Sequence, residues 1–294
     1  MMNKTKQIYY NAIFGAIGGL LAWQFVGLFA TGGWPLTMAN LFIGAGVGLC
    51  IGFTTGAATG FVNKLALRRV LIGAVKGALV GLVSGAAGMM IGGLLFVLSG
   101  GGFHGRLLGW MLLGLLLGLG TGLVARSPLR ASYGAVGGVV AGAIGGLLYE
   151  LMTQVFAQQA AADAAGMDNV QMIMSAAGLM LLGACLGALI PMAVTLLAQG
   201  RLRVLSGPRT GLEVDVLDAV TMGSYDGCEL HLPGDKAIAR KHARVYRQNR
   251  RFFVTDLDSA NGTRINGTAL KPGDAVQVEK GAKIEMGTAV VELM

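Results

Sequence analysis

The sequence predicts an α-helical polytopic membrane domain over residues 1–198, with six transmembrane helices in three hairpin repeats, followed by an all-β sandwich over residues 199–294. Three observations carry that prediction. Of the 294 residues, 54% are hydrophobic and only 13% charged, with a mean hydropathy of +0.64, a balance typical of membrane chains rather than soluble domains. Charge is also segregated: 14 of the 23 Lys and Arg and 12 of the 15 Asp and Glu lie after residue 198. Finally, long apolar runs give way at Gly200 to a period-two alternation, which is the period of strands.

Six stretches are apolar over the roughly 20 residues a spanning helix needs: 8–30, 38–62, 70–98, 107–124, 132–156 and 171–198. The first follows MMNKTKQ, and at about 22 residues it exceeds the apolar core of a secretory signal, so it reads as a retained helix. The breaks alternate in charge. GGWPL (32–36), GGGFHG (100–105) and AADAAGMDNV (161–170) contain no basic residue, and only Arg106 borders them. The other breaks and the two ends hold Lys4, Lys6, Lys64, Arg68, Arg69, Arg126, Arg130, Arg201 and Arg203. The positive-inside rule then places both termini and the basic loops in the cytoplasm, and the expected location is a bacterial inner (plasma) membrane.

The hairpin repeat rests on recurring strings. IGGLL occurs at 17–21, 91–95 and 144–148, always in an odd-numbered stretch. In the even-numbered stretches Gly52, Gly56 and Gly60 align with Gly114, Gly118 and Gly122, and then with Gly183, Gly187 and Pro191. Glycine ridges at four-residue spacing are dense. Gly44, Gly48, Gly52, Gly56 and Gly60 form one, Gly73, Gly77, Gly81 and Gly85 a second, and Gly134, Gly138, Gly142 and Gly146 a third. Each glycine costs about 1 kcal/mol relative to alanine in a water-exposed helix. In lipid, such a ridge permits close backbone approach between helices. The spacing admits packing within one chain or between chains of a homo-oligomer. A pore is less expected, because pathways need polar groups at membrane depth and the stretches offer only Lys76 and Glu150, each read as a charge reaching the interface.

After Gly200, short alternating segments such as RLRVL, GLEVDVL, ARVYR, RFFVTDL and AVVEL are separated by turn-forming residues, the pattern of a β-sandwich. MGS (222–224), ELHL (229–232), ARKHARV (239–245) and TDLDSANGTRINGTAL (255–270) resemble a forkhead-associated (FHA) domain over about 90 residues. The resemblance implies a two-sheet sandwich whose loops at one end bind phosphothreonine peptides. It places the peptide-binding loops at Ser224, Arg240, Lys241, Asn261, Thr263 and Asn266, and structural positions at Gly223, His242, Gly262 and Gly267. The chain departs from the family pattern where phosphate is held. The family's phosphate-binding Arg corresponds to Ser224, its Ser to Ala239, and the residue before the first Asn is Ala260. Losing the Arg alone predicts an affinity loss of about tenfold or more, because hydrogen bonds to charged groups are worth about 1.5–3 kcal/mol.

Cys50, Cys185 and Cys228 form no metal or redox motif, and no catalytic constellation or phosphate loop assembles. The expected role is therefore a non-enzymatic membrane scaffold without cofactor. Its expected partners are membrane lipid and a cytoplasmic protein, with no nucleic acid. A phosphothreonine-dependent receptor and an FHA-gated channel or transporter are the alternatives.

Overall fold

The computed structural model describes residues 4–29, 35–62, 67–100, 102–160 and 167–294. The sequence breaks at 30–34 and 161–166 and the basic Lys64 lie outside the described residues. Residues 2–196 and 197–294 form two compact units.

The first unit contains α1 (Lys4–Phe29), α2 (Leu36–Val62), α3 (Leu67–Leu98), α4 (Phe103–Ala125), α5 (Pro128–Ala160) and α6 (Met167–Leu197). The last five are long and apolar enough to cross a membrane. α1 carries Asn11 and Gln24 and falls short of that apolarity. Large apolar side chains on the outer surface are exposed, Leu79, Val83, Leu94 and Val97 each by more than half, as lipid-facing positions are. The turn from α4 to α5 takes two residues. Arg126 adopts the left-handed conformation (φ 51°) and closes α4 on the carbonyls of Gly122 and Leu123. Ser127 caps α5 by accepting the Arg130 N–H at 3.0 Å, with Pro128 at the first helical position.

Glycine meets glycine between α2 and α3. Gly44 faces Gly85, Gly48 faces Gly81, Gly52 faces Gly77 and Gly56 faces Gly73, and at each a Cβ would lie under 3.0 Å from the partner's carbonyl oxygen. Gly60, at the end of the row, lies against the Val70 backbone. The α4–α5 pair repeats the arrangement with Gly114 on Gly138 and Gly118 on Gly134. There Gly142 and Gly146 meet the backbone and side chain of Trp110, and Gly122 meets Ala131. In α6 and α1, Gly183 meets Gly15, and Gly187 meets the Asn11 backbone. α1 packs on α2 through Gly18, α3 on α4 through Gly88 and Gly92, and α5 on α6 through Gly137 and Gly145, so the helices close a ring in sequence order. Its centre is filled by Ile51, Leu113 and Leu182, each no more than 1% exposed.

Glu150 corrects the sequence expectation. It is buried within the helical unit, and its carboxylate pairs with the Arg106 guanidinium at 3.0 Å. A buried carboxylate without a partner is expensive. Arg106, the one basic residue bordering an otherwise uncharged break, supplies it while packing over the Phe96 ring.

The second unit is a β-sandwich of β1 (Gly200–Ser206), β2 (Glu213–Val216), β3 (Ala219–Gly223), β4 (Leu230–His231), β5 (Ala243–Gln248), β6 (Arg251–Asp256), β7 (Arg264–Ile265), β8 (Thr268–Ala269), β9 (Ala275–Val278), β10 (Lys283–Met286) and β11 (Ala289–Leu293). One sheet runs β2-β1-β11-β10-β7-β8 and the other β4-β3-β5-β6-β9. Alternation buries Leu202, Val204, Met222, Val245, Val254, Ile284 and Val291 between them. Two hairpins turn on paired positive φ angles: Asn249–Arg250 between β5 and β6, and Asn266–Gly267 between β7 and β8. This is the primed-turn geometry that matches strand twist.

Candidate functional site

The sandwich brings three loops together at one end: those from β3 to β4, β4 to β5 and β6 to β7. Gly223 ends β3 with its Cα against the Arg240 and Ala239 carbonyls, where a Cβ would lie under 3.0 Å from either oxygen. That approach lets the Ser224 N–H donate to the Ala239 carbonyl and the Tyr225 N–H to the Arg240 carbonyl, both at 3.0 Å. Positions 224 and 239 are thus adjacent, but neither carries a cationic side chain. The Arg240 guanidinium lies 4.8 Å from the centre of the Tyr225 ring, a cation–π contact. Arg240 and Lys241 are both exposed at this rim.

His242 ties the loops from below. It is fully buried; its Nδ1 accepts the Ala239 N–H at 3.0 Å and its Nε2 lies 3.1 Å from the Gly262 carbonyl. Since Nδ1 accepts, the ring proton is on Nε2 and donates to Gly262. Gly262 sits at φ +68° with open space around its Cα, a conformation that favours glycine. Asn261 reaches across the same gap, its Nδ2 donating to the Ala237 carbonyl at 2.9 Å.

Two aspartates that the sequence reading passed over fix these loops. Asp256, buried at the end of β6, accepts the Ser259 N–H at 2.8 Å, the Ser259 hydroxyl at 2.7 Å and the Thr263 hydroxyl. Burial alone would push its carboxyl up, but these hydrogen bonds outweigh it and hold the group below the usual carboxylate range. Asp235 accepts the Thr288 N–H at 2.8 Å, the Thr288 hydroxyl at 2.7 Å and the Ala237 N–H at 2.8 Å, which lower its pKa.

The residues singled out from sequence therefore divide. Ser224, Arg240, Lys241 and Asn261 lie on the three converging loops, with Gly223, His242 and Gly262 beneath them. Thr263 is buried, 1% exposed, and its side chain is turned toward Asp256. Asn266 and Gly267 form the β7–β8 turn, where the Asn266 Oδ1 accepts the Lys283 N–H at 2.8 Å. Tyr225 was missed: no spacing rule marks a lone Tyr as the seat of an Arg 15 residues away on the next loop. Among the described residues, no group of His, Cys, Asp and Glu is placed to hold a metal ion.

Residues 220–287 match the FHA domain family, and this part of the chain is an FHA domain. Over 90 residues the chain is 32% identical to an FHA domain-containing protein of Arabidopsis thaliana, a match covering 30% of this chain and 23% of the length of that relative. Among solved structures, the FHA domain of an Arabidopsis thaliana hypothetical protein is 30% identical, covering 32% of this chain and 82% of its own (TM-score 0.30). That of a Chlamydia trachomatis protein is 23% identical, covering 32% and 95% (TM-score 0.29).

Proposed function

We propose that this chain is a membrane-anchored adaptor whose FHA domain binds a protein partner with little or no dependence on phosphothreonine. α1 joins the five more apolar helices to make six spans in three related hairpins. Both termini lie on the basic, cytoplasmic side of a bacterial inner membrane. The observation that carries the reading is the contact between Ser224 and Ala239. Their backbones are joined, so the pocket is assembled, yet the guanidinium and the loop hydroxyl of a phosphate site are both missing from it. Phosphate is held chiefly by such charge-assisted bonds, while Asn261, Tyr225 and the exposed rim still offer groups for a peptide.

A second reading has its own observation. Arg240, parked on Tyr225, stands one loop away from the vacant arginine position, and a side chain held in place loses less entropy on binding than a free one. In that reading Arg240 restores phosphothreonine recognition from a different position. A gated channel finds less support, since Ile51, Leu113 and Leu182 fill the centre of the ring.

The test is capture of partners by the full chain in nanodiscs from cytosol divided in two, one half treated with a broad phosphatase. An adaptor of the proposed kind retains the same partners from both halves. Partners lost on phosphatase treatment, and lost from an Arg240→Ala variant, favour the second reading.

A further inference from the structure

The candidate loops occupy one end of the sandwich, and the chain enters at the other. β5 runs away from His242 and β6 returns to Asp256, so the turn at Asn249–Arg250 lies a six-residue strand from the loops, about 20 Å. The entering chain meets that far end. Gly200 packs on the Phe252 ring, and the Arg247 guanidinium donates to the side-chain carbonyl of Gln199. Gln199 is two residues past Leu197, the last residue of α6, which is no more than about 7 Å of extended chain.

This hairpin is rich in arginine. Arg247, Arg250 and Arg251 stand within five residues, and the last two are exposed. Arg250 occupies the second turn position at φ 63°, where a turn of this kind favours glycine, so the backbone gives no reason for an arginine there. The side-chain partners of its neighbours are neutral: Arg247 donates to Gln199, and Arg251 to Gln277 at 3.2 Å. Among the described residues, none of the three arginines pairs with a carboxylate. The acids at this end are largely matched elsewhere. Asp215 and Glu213 pair with Arg201, Glu213 also with Arg203, and Glu279 adjoins Lys280. Asp218, whose carbonyl accepts the Arg247 N–H at 2.8 Å, offsets only part of the hairpin's charge.

We propose that the β5–β6 hairpin docks on the anionic lipid headgroups of the leaflet in which α6 ends, holding the candidate loops away from the membrane and toward the cytosol. This rests on the membrane-anchored reading above, with the end of α6 on the cytoplasmic side. Guanidinium groups match lipid phosphates as two-pronged donors, and each basic residue near an anionic leaflet favours the bound state about fivefold. The short tether selects lipid over an acidic protein. It makes docking intramolecular, at an effective concentration that a free partner does not reach.

The test uses the full chain in nanodiscs of phosphatidylcholine, or of an equal mixture of phosphatidylcholine and phosphatidylglycerol. Arginines are modified with phenylglyoxal, a neutral reagent, and each is read by peptide mass spectrometry. Expected is modification of Arg250 at least about threefold slower in the anionic discs, because two or more basic residues at about fivefold each keep the hairpin mostly bound. Arg240, at the opposite end, should react at one rate in both. The difference at Arg250 should vanish in about 1 M salt, where screening acts over about 3 Å. Removing two charges in Arg247→Gln, Arg251→Gln should weaken docking about 25-fold and abolish the protection, whereas Arg247→Lys, Arg251→Lys should keep it. A chain that stays with the discs but shows equal Arg250 rates in both overturns the docking and leaves the anchoring intact. So does protection of Arg240 equal to that of Arg250, or protection of Arg250 that appears in both kinds of disc only when cytosol is added, which marks a protein partner. A chain that does not stay with either disc overturns the anchoring, and the docking with it.

Discussion

His242 has no exposed surface, yet both ring nitrogens are committed to backbone groups of two different loops. Asp256 does similar work one loop away, with three donors on one carboxylate. Removing a partner of such a group leaves buried donors unsatisfied, so Asp256→Ala should destabilise the FHA unit by about 2–3 kcal/mol, measured by urea unfolding of fragment 197–294, which carries its own core. The pH dependence has a definite sign. A carboxyl whose folded pKa lies below its unfolded value contributes stability that is fully present above about pH 3.9 and is lost as pH falls through the folded value. Acid titration should therefore weaken the wild-type fragment below about pH 4 more steeply than Asp256→Ala; parallel curves would remove Asp256 as the cause. At this scale the sequence was partly legible. The departures at 224 and 239 were read through the resemblance of MGS, ARKHARV and TDLDSANGTRINGTAL to the FHA pattern. The inward turn of Thr263 could not be read, because a threonine beside an Asn-Gly pair faces a ligand or a neighbouring carboxylate with equal ease until the Asp256 contact is seen.

The glycine ridges show what a period can and cannot specify. Four-residue spacing marks a contact face, and Gly48, Gly52, Gly114 and Gly138 all lie at such faces. Spacing carries no name for the partner, and it left packing between chains open beside the favoured packing within one chain. The structure places α2 on α3 and α4 on α5 inside one chain. IGGLL was a poorer guide: Gly18 lies against Ile51 in α2 and Gly145 against Leu182 in α6, whereas Gly92 meets Gly109 in α4, so the shared string does not mark one kind of contact. Glu150 was misjudged because its partner, Arg106, is 44 residues away on the preceding helix. Gly48→Leu should lower thermal stability by more than the about 1–3 kcal/mol of ordinary overpacking, since its Cβ meets a carbonyl rather than a flexible side chain. Gly27→Leu, with nothing within 4 Å of its Cβ, should leave the melting temperature in detergent unchanged. Equal effects would mean that the ridges are not the contacts that hold the helices together.

At the scale of the whole molecule, a helical unit whose ridges are already occupied has no glycine face left over from α2–α3 or α4–α5 for a second copy. The expected mass in native-like lipid is that of one 30.3 kDa chain, and a defined dimer or larger ring would show that other surfaces assemble it. The change of period at Gly200 made the two-part organisation legible, because apolar helices and alternating strands obey different solvents. In the proposed function, phosphate dependence turns on two side chains, Ser224 and Ala239, and those two decide the most direct measurement. Fragment 197–294 and its Ser224→Arg, Ala239→Ser double variant are titrated with one set of peptides bearing threonine or phosphothreonine. The expected result is no preference for phosphate in the natural fragment and a gain of at least about tenfold for phosphopeptides in the double variant. Micromolar binding of phosphopeptides by the natural fragment, with unphosphorylated peptides ignored, would contradict the proposed function.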